Sequence, residues 1–186
     1  MSLYFFTHSF FLHPPIKKFF IEKLHFGYKL YRLMFNFFAI FGLVLISLYS
    51  KQVNDKLLID DFWLKLSGVV VVLLGIFITY KSFKNYDIKE FIGLTAESTD
   101  TLQNNLVVEG YHKFVRHPVY LATILIFVGY ALYSPTLTSI IYLATTIIYL
   151  HIGISLEERK LINKFGDNYL KYKNEVPKLL PVIFSK

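Results

Sequence analysis

The chain contains no cysteine among its 186 residues. Disulfides, cysteine-ligated zinc and a cysteine nucleophile are therefore excluded, while the compartment stays open. No secretory signal is legible: residues 1–13 are aromatic and apolar but lack a basic leader and a small-residue cleavage site. A Gly-x-Gly-x-x-Gly turn after a strand is missing, as is any alternation of strand and helix patterns, which excludes a soluble Rossmann-type fold. No internal repeat or low-complexity tract is present. Acidic residues are scarce, 13 against 20 Lys and Arg, for a net charge of +7. Such a charge can suit nucleic acid, but here the basic residues flank apolar runs as membrane anchors do, so no nucleic-acid partner is expected.

What the chain has in abundance is apolar surface. Hydrophobic residues make up 54% and aromatics 18%, with a mean hydropathy of +0.46. This composition places it among membrane proteins rather than soluble domains. A bilayer core needs about 20 apolar residues per helix. Residues 30–49, 62–83 and 135–156 meet that length, and residues 118–133 form a shorter fourth run. All four are too uniformly apolar for a soluble amphipathic helix. The expected fold is therefore all-α: a polytopic membrane protein of about four transmembrane helices, the last two forming a hairpin across Ser134-Pro135. Pro135 is read as lying in the first turn of the last helix, where its missing N–H costs nothing. A single membrane domain over 1–186 is expected. It divides into 1–29, two spans in 30–83, a loop over 84–117, the hairpin 118–156 and a tail 157–186, whose end over 176–181 is extended and apolar enough to pack back on the membrane face or over a pocket.

Charge fixes the orientation. Lys17, Lys18, Lys23, Lys29 and Arg32 precede or open the first span, and Lys81, Lys84, Lys89, Lys113 and Arg116 lie between or at the ends of spans two and three. Seven more basic residues follow the last span, whereas the loop between spans one and two pairs its lysines with Asp55, Asp60 and Asp61. The positive-inside rule then puts both termini and the 84–117 loop in the cytoplasm. Tyr49, Phe62, Trp63, Tyr130 and Tyr133 would form an aromatic belt on the far side. Residues 3–12 are too short to cross and are read as an interfacial helix ended at Pro14-Pro15, or the remnant of a longer span. A short interfacial helix is expected around Glu90-Phe91-Ile92-Gly93-Leu94, followed by a polar flexible segment over 97–105.

Two polar clusters stand at one lipid–water boundary. Val115-Arg116-His117-Pro118-Val119-Tyr120 opens the third span, with Gly110-Tyr111 just upstream, and Glu157-Glu158-Arg159 follows the fourth. An antiparallel hairpin brings them to the same face. Taken singly, these residues have plain readings: a snorkelling Arg, a Pro at a helix start, solvated carboxylates at a helix exit. Two carboxylates at a helix C-terminus oppose the dipole, however, so a compensating cation is expected. His151, Ser155 and Glu158 share one face by i, i+4, i+7 spacing. An ionisable residue about two turns inside a span is a functional candidate. Gly166 reads as a helix C-cap.

The run Gly110-Tyr111, Arg116-His117-Pro118-x-Tyr120, Glu157-Glu158-x-x-Leu161, Gly166, Tyr169, Tyr172 and Pro181 resembles the isoprenylcysteine carboxyl methyltransferase and phospholipid methyltransferase superfamily. The resemblance covers residues 110–181. More loosely, His8-Ser9 and Tyr31-Arg32-x-x-x-Asn36 resemble NnrU-like and thiol-methylating members, in which a full span precedes the His-Ser pair; the first helix here is expected to be truncated. Ala122 stands where many members carry Gly, a change expected to be tolerated.

The resemblance implies an integral-membrane enzyme that uses S-adenosylmethionine. Tyr111, His117, Pro118, Tyr120, Glu157 and Glu158 are the implied cofactor-binding residues; no metal is implied. The carboxylates suit the ammonium and ribose hydroxyls, and the helix start suits the carboxylate. Arg116 is the candidate partner of an anionic acceptor and His151 the candidate base for a thiol or amine. The expected partners are the bilayer and a membrane lipid or small-molecule methyl acceptor, and residue usage points to a prokaryotic inner membrane with the C-terminus cytoplasmic. The other readings are a related membrane reductase using a nicotinamide cofactor and a non-catalytic membrane module.

Overall fold

A computed structural model describes residues 1–25, 27–53, 55–83, 106 and 108–180. The segments expected around Glu90 and over 97–105, and Pro181, lie outside the described residues. Among the described residues the structure is helical, without strands. Its contacts group into two compact units, one holding the helices of residues 1–54 and the other those from residue 55 onward.

The first unit is built on aromatic contacts. Helix α1 (Ser2–Leu12) is followed by α2 (Pro14–Lys18), a π-helical turn over Phe19–Lys23 and α3 (Tyr28–Gln52). α1 ends before Pro14-Pro15, as expected, with His13 extended between it and a separate α2. The two prolines occupy the first positions of α2, where no intrahelical donor is required. α1 runs antiparallel to α3: His8 lies 5.0 Å from the Phe35 ring, Phe11 stacks on Phe38, and buried Tyr31 donates its hydroxyl to the Phe11 carbonyl. A cavity of about 440 Å³ between them is lined by Tyr4, Phe11, Phe35 and Phe38, with Thr7 and His8 as polar groups. α3 exposes Phe37, Ile40, Phe41 and Leu48, the surface of a helix made for lipid.

The second unit carries α4 (Phe62–Phe83), α5 (Pro118–Tyr133), α6 (Leu137–Phe165) and α7 (Asp167–Glu175). Among the described residues, three helices are long and apolar enough to cross a membrane: Tyr28–Ser50, Phe62–Phe83 and Leu137–Phe165. α5 is shorter, 16 residues or about 24 Å at 1.5 Å per residue. α6 has 29 residues and reaches about 43 Å, so its last two turns stand beyond a core of about 30 Å. The helix was expected to end near residue 156. It continues because Glu157-Glu158-Arg159-Lys160-Leu161 are strong helix formers. The paired carboxylates are thus inside a helix, and the dipole argument for a cation at its end does not apply to them.

Close approach fixes how α4 and α5 cross. A Cβ built on Gly68 would lie 2.6 Å from the Gly129 carbonyl and the Tyr133 nitrogen, and one on Gly75 would lie 2.9 Å from the Ala122 carbonyl. Gly68 and Gly75 are two turns apart, so one stripe of α4 touches α5 backbone to backbone. Lipid tails offer no hydrophobic drive between helices, so this dispersion contact is what holds them. Ala122 is fully buried in that crossing.

At the far end, Thr136 caps α6 in a reciprocal box with Ser139, and Asp55 Oδ2 accepts the Thr138 amide at 2.8 Å. Pro135 therefore precedes the N-cap rather than lying in the first turn, and its carbonyl accepts the Leu58 amide at 2.8 Å. Phe62, Trp63, Tyr130 and Tyr133 are exposed at this end, where an aromatic belt was expected. At the near end Gly166 ends α6 and starts α7 with φ 55° and ψ −130°, a conformation L side chains rarely adopt.

Gly129→Ala should lower stability by about 1–3 kcal/mol, since the added Cβ meets backbone on α4. Gly153→Ala, whose Cβ would sit 3.5 Å from Tyr120 in ordinary contact, should be neutral or stabilising. Thermal unfolding in detergent measures both, and equal losses at the two positions would contradict the packing account.

Candidate functional site

Arg116, His117, Glu157 and Glu158 meet where α5 begins and α6 leaves its apolar stretch. The geometry is organised around Glu158, which is buried. Its Oε1 accepts from Arg116 Nε at 3.0 Å and His117 Nε2 at 3.2 Å, and pairs with Arg116 Nη2 at 2.9 Å. Its Oε2 lies 3.1 Å from Lys173 Nζ. Both oxygens are thus committed to cations or donors of the chain itself.

Arg116 is equally committed. Two guanidinium nitrogens hold Glu158, and Nη1 donates to the carbonyls of Lys173 (2.6 Å) and Val176 (2.5 Å). Its backbone N–H donates to the Pro177 carbonyl at 2.9 Å, and that of His117 to the Lys178 carbonyl at 3.2 Å. A charged fork satisfying two carbonyls at the end of α7 is a C-terminal cap supplied from elsewhere in the sequence. The tail after α7 is thereby fastened over the start of α5. Arg116 was expected to meet an anionic acceptor, and the amides at this helix start to meet the cofactor carboxylate. The Arg116 guanidinium and the Arg116 and His117 amides have partners within the chain.

Glu157 differs from its neighbour. Its side chain is 44% exposed, against 6% for Glu158. Its Oε2 lies 3.7 Å from His117 Nδ1, beyond hydrogen-bond range, and its charge acts on the nearby Tyr120 hydroxyl. The Tyr120 ring stands edge-on to His117 at 5.4 Å. His117 is the N-cap residue of α5 and Pro118 its first helical residue, so the ring is held by both its backbone and Glu158. Tyr111 sits just upstream in a 3-10 turn over Gly110–Lys113 that Gly110, with φ 62°, opens. His151 is exposed on α6, seven residues before Glu158 and so about 10 Å along the helix.

Lys173 is the participant that no sequence pattern marked, whereas the tail from Val176, extended and apolar enough to pack back over a pocket, supplies the carbonyls of Val176 and Pro177. All three reach the cluster because the chain reverses at Gly166. Tyr172 donates its hydroxyl to the His112 carbonyl at 2.8 Å, closing the same side. The paired tyrosines were legible as a motif, but not as buried side chains.

Burial lowers the His117 pKa below its ordinary value near 6.5, outweighing the opposite pull of Glu157 and Glu158. His112 is lowered in the same way, also by burial first. The folded state therefore prefers neutral imidazoles. Stability from this preference is complete above about pH 6.5, the unfolded value, and is lost as pH falls through the lower folded values.

Unfolding midpoints should accordingly decline from pH 7.5 to pH 5, and His117→Asn should reduce that slope, with His112 supplying the remainder. An unchanged slope in the variant would contradict a neutral His117. Glu158→Ala should cost about 3–5 kcal/mol, the range for stranding one partner of a buried pair. Glu157→Gln should stay within about 0.5 kcal/mol, as for an exposed position. Unfolding in detergent distinguishes the two, and comparable losses would contradict their separate roles.

A family model described as phospholipid methyltransferase matches residues 63–168, more than half of the chain. Methanethiol S-methyltransferase 1 of Bradyrhizobium diazoefficiens is 47% identical over 72 residues, 38% of this chain and 24% of the relative. Methanethiol S-methyltransferase of Pseudomonas deceptionensis is 30% identical over 138 residues, 71% of this chain and 48% of the relative. Protein-S-isoprenylcysteine O-methyltransferase of Xenopus laevis is 30% identical over 128 residues, 65% of this chain and 42% of the relative. The chain thus spans about a quarter to a half of the length of these curated relatives. No solved structure gives a significant match. The matched region takes in α4, α5, α6 and the four residues Arg116, His117, Glu157 and Glu158, and the chain belongs to the phospholipid methyltransferase family.

Proposed function

We propose that this chain is an integral-membrane methyltransferase that takes its methyl group from S-adenosylmethionine and passes it to a small thiol or a lipid-borne acceptor. Its site faces the cytoplasm of a prokaryotic inner membrane, with the C-terminus on the same side. The observation that carries the reading is the contrast between the two glutamates. Glu158 is spent on holding the chain together, while Glu157 is a half-exposed carboxylate flanked by His117 and Tyr120. An acidic group so placed suits the ammonium or ribose hydroxyls of the cofactor. The methyl-transfer names of the relatives, for a small thiol in two and a prenylcysteine in the third, agree with it.

S-adenosylmethionine supplies an electrophilic methyl group on a sulfonium. The residues of the chain then have distinct tasks. Glu157 binds the positive or hydroxyl-bearing part of the cofactor, and Tyr120 and His117 fix its orientation. Tyr111 and Pro118 frame the same side. Arg116, Glu158 and Lys173 position the tail over the site and help to exclude water, which in-line displacement requires. A carboxylate acceptor needs no base. A thiol must lose its proton to become the nucleophile, and His151 is the residue assigned to accept it.

Calorimetric titration of detergent-purified protein with S-adenosylmethionine tests the reading. Binding by the wild type is expected, weakened about tenfold or more by Glu157→Gln, equivalent to about 1.4 kcal/mol. A folded protein that ignores S-adenosylmethionine and binds a nicotinamide cofactor instead would contradict it in favour of a reductase.

A further inference from the structure

Three tyrosines are buried among the described residues: Tyr31, Tyr169 and Tyr172. Two have settled hydroxyls. Tyr31 donates to the Phe11 carbonyl and Tyr172 to the His112 carbonyl. Tyr169 is the exception. It is 1% exposed, yet among the described residues its hydroxyl has no hydrogen-bond partner. Buried tyrosine hydroxyls find partners as a rule, and leaving one unmade costs free energy.

The surroundings of Tyr169 are those of the candidate site. It occupies the first turn of α7, directly after the Gly166 reversal, with its ring edge-on to Tyr172 at 5.9 Å. Glu158, Arg116 and Glu157 are the charged groups that act on it. Burial raises its pKa, so the phenol stays protonated and remains both donor and acceptor. Phe would fill the same space without a stranded polar atom. The packing of α7 therefore explains the ring but not the hydroxyl.

We infer that Tyr169 is a further ligand-contacting residue of this site, its hydroxyl forming a hydrogen bond to a polar atom of the bound methyl donor. The inference rests on the proposed methyltransferase reading and adds a contact from α7, an element that reading uses only for positioning. Binding would supply the partner that the fold withholds. α7 and the tail would then be coupled to ligand through Tyr169 as well as to the helices through Arg116.

The test compares wild type and Tyr169→Phe in two measurements. Calorimetry with S-adenosylmethionine and with S-adenosylhomocysteine reads the contact. Thermal unfolding without ligand reads any structural role. The variant should bind both probes about tenfold more weakly, while its unliganded midpoint equals or exceeds that of wild type. Unchanged affinity would overturn the inference. So would a lowered unliganded midpoint, which would reveal a structural partner for the hydroxyl. Failure of the wild type to bind either probe would overturn the methyltransferase reading itself, an outcome the wild-type titration separates from failure of Tyr169 alone.

Discussion

The buried ion pair between Arg116 and Glu158 is the contact on which the second unit depends at the end where α5 begins. Charges removed from water lose much hydration energy, and a pair recovers it only when every remaining donor and acceptor is used. Here that condition is met on both sides. Glu158 takes two hydrogen bonds and a further ion-pair contact on one oxygen and a lysine on the other. Arg116 spends its remaining nitrogen on two carbonyls at the end of α7. A pair so thoroughly satisfied specifies one arrangement of α5, α6, α7 and the tail. Apolar packing alone would leave these elements free to slide, because the α4–α5 crossing fixes only the helices.

From that contact follows the division between the adjacent glutamates. Successive residues on a helix point about 100° apart. When Glu158 faces inward to Arg116, Glu157 must face away from it, toward His117 Nδ1 and the Tyr120 hydroxyl. One carboxylate builds the wall and the other looks into the space beside it. His117 joins the two, bonded to Glu158 through Nε2 and turned toward Glu157 through Nδ1. A neutral imidazole has a single N–H to give, and the shorter contact, to Glu158, takes it. The other nitrogen then presents a lone pair on the Glu157 side. The site is thus rigid on its protein-facing side and polar on its open side, as preorganised binding requires.

Much of this was legible in the chain. The bounds of α4 and α5 followed directly from apolar runs ending at Asp61, Lys84, Pro118 and Ser134. The hairpin brought Arg116 and Glu158 to one boundary by length alone. The end of α6 was misplaced because falling hydrophobicity was taken for loss of helix. The charged residues after Leu156 favour helix as strongly as those before it. The partners of Lys173, Val176 and Pro177 were not legible, although the tail over 176–181 was extended and apolar enough to pack back over a pocket. Their roles depend on the reversal at Gly166, and no local pattern encodes which residues a returning segment will meet, here Glu158 and the much earlier Arg116. The same holds for Tyr169, whose spacing to Tyr172 marks a helix face without saying what covers it. Pro135 illustrates a smaller misreading, since Thr136 and Ser139 form the cap one position later than expected.

The central claim is that Glu158, through Arg116, fastens the tail to the start of α5. Amide hydrogen exchange on the wild type and on Glu158→Gln tests it most directly. The account predicts that the amides of Arg116 and His117, bonded to the Pro177 and Lys178 carbonyls, are protected in the wild type. They should lose that protection in the variant together with the end of α7, while α4 and α5 keep theirs. Unchanged protection at Arg116 and His117 in Glu158→Gln, or an equal loss across all the helices, would contradict the account.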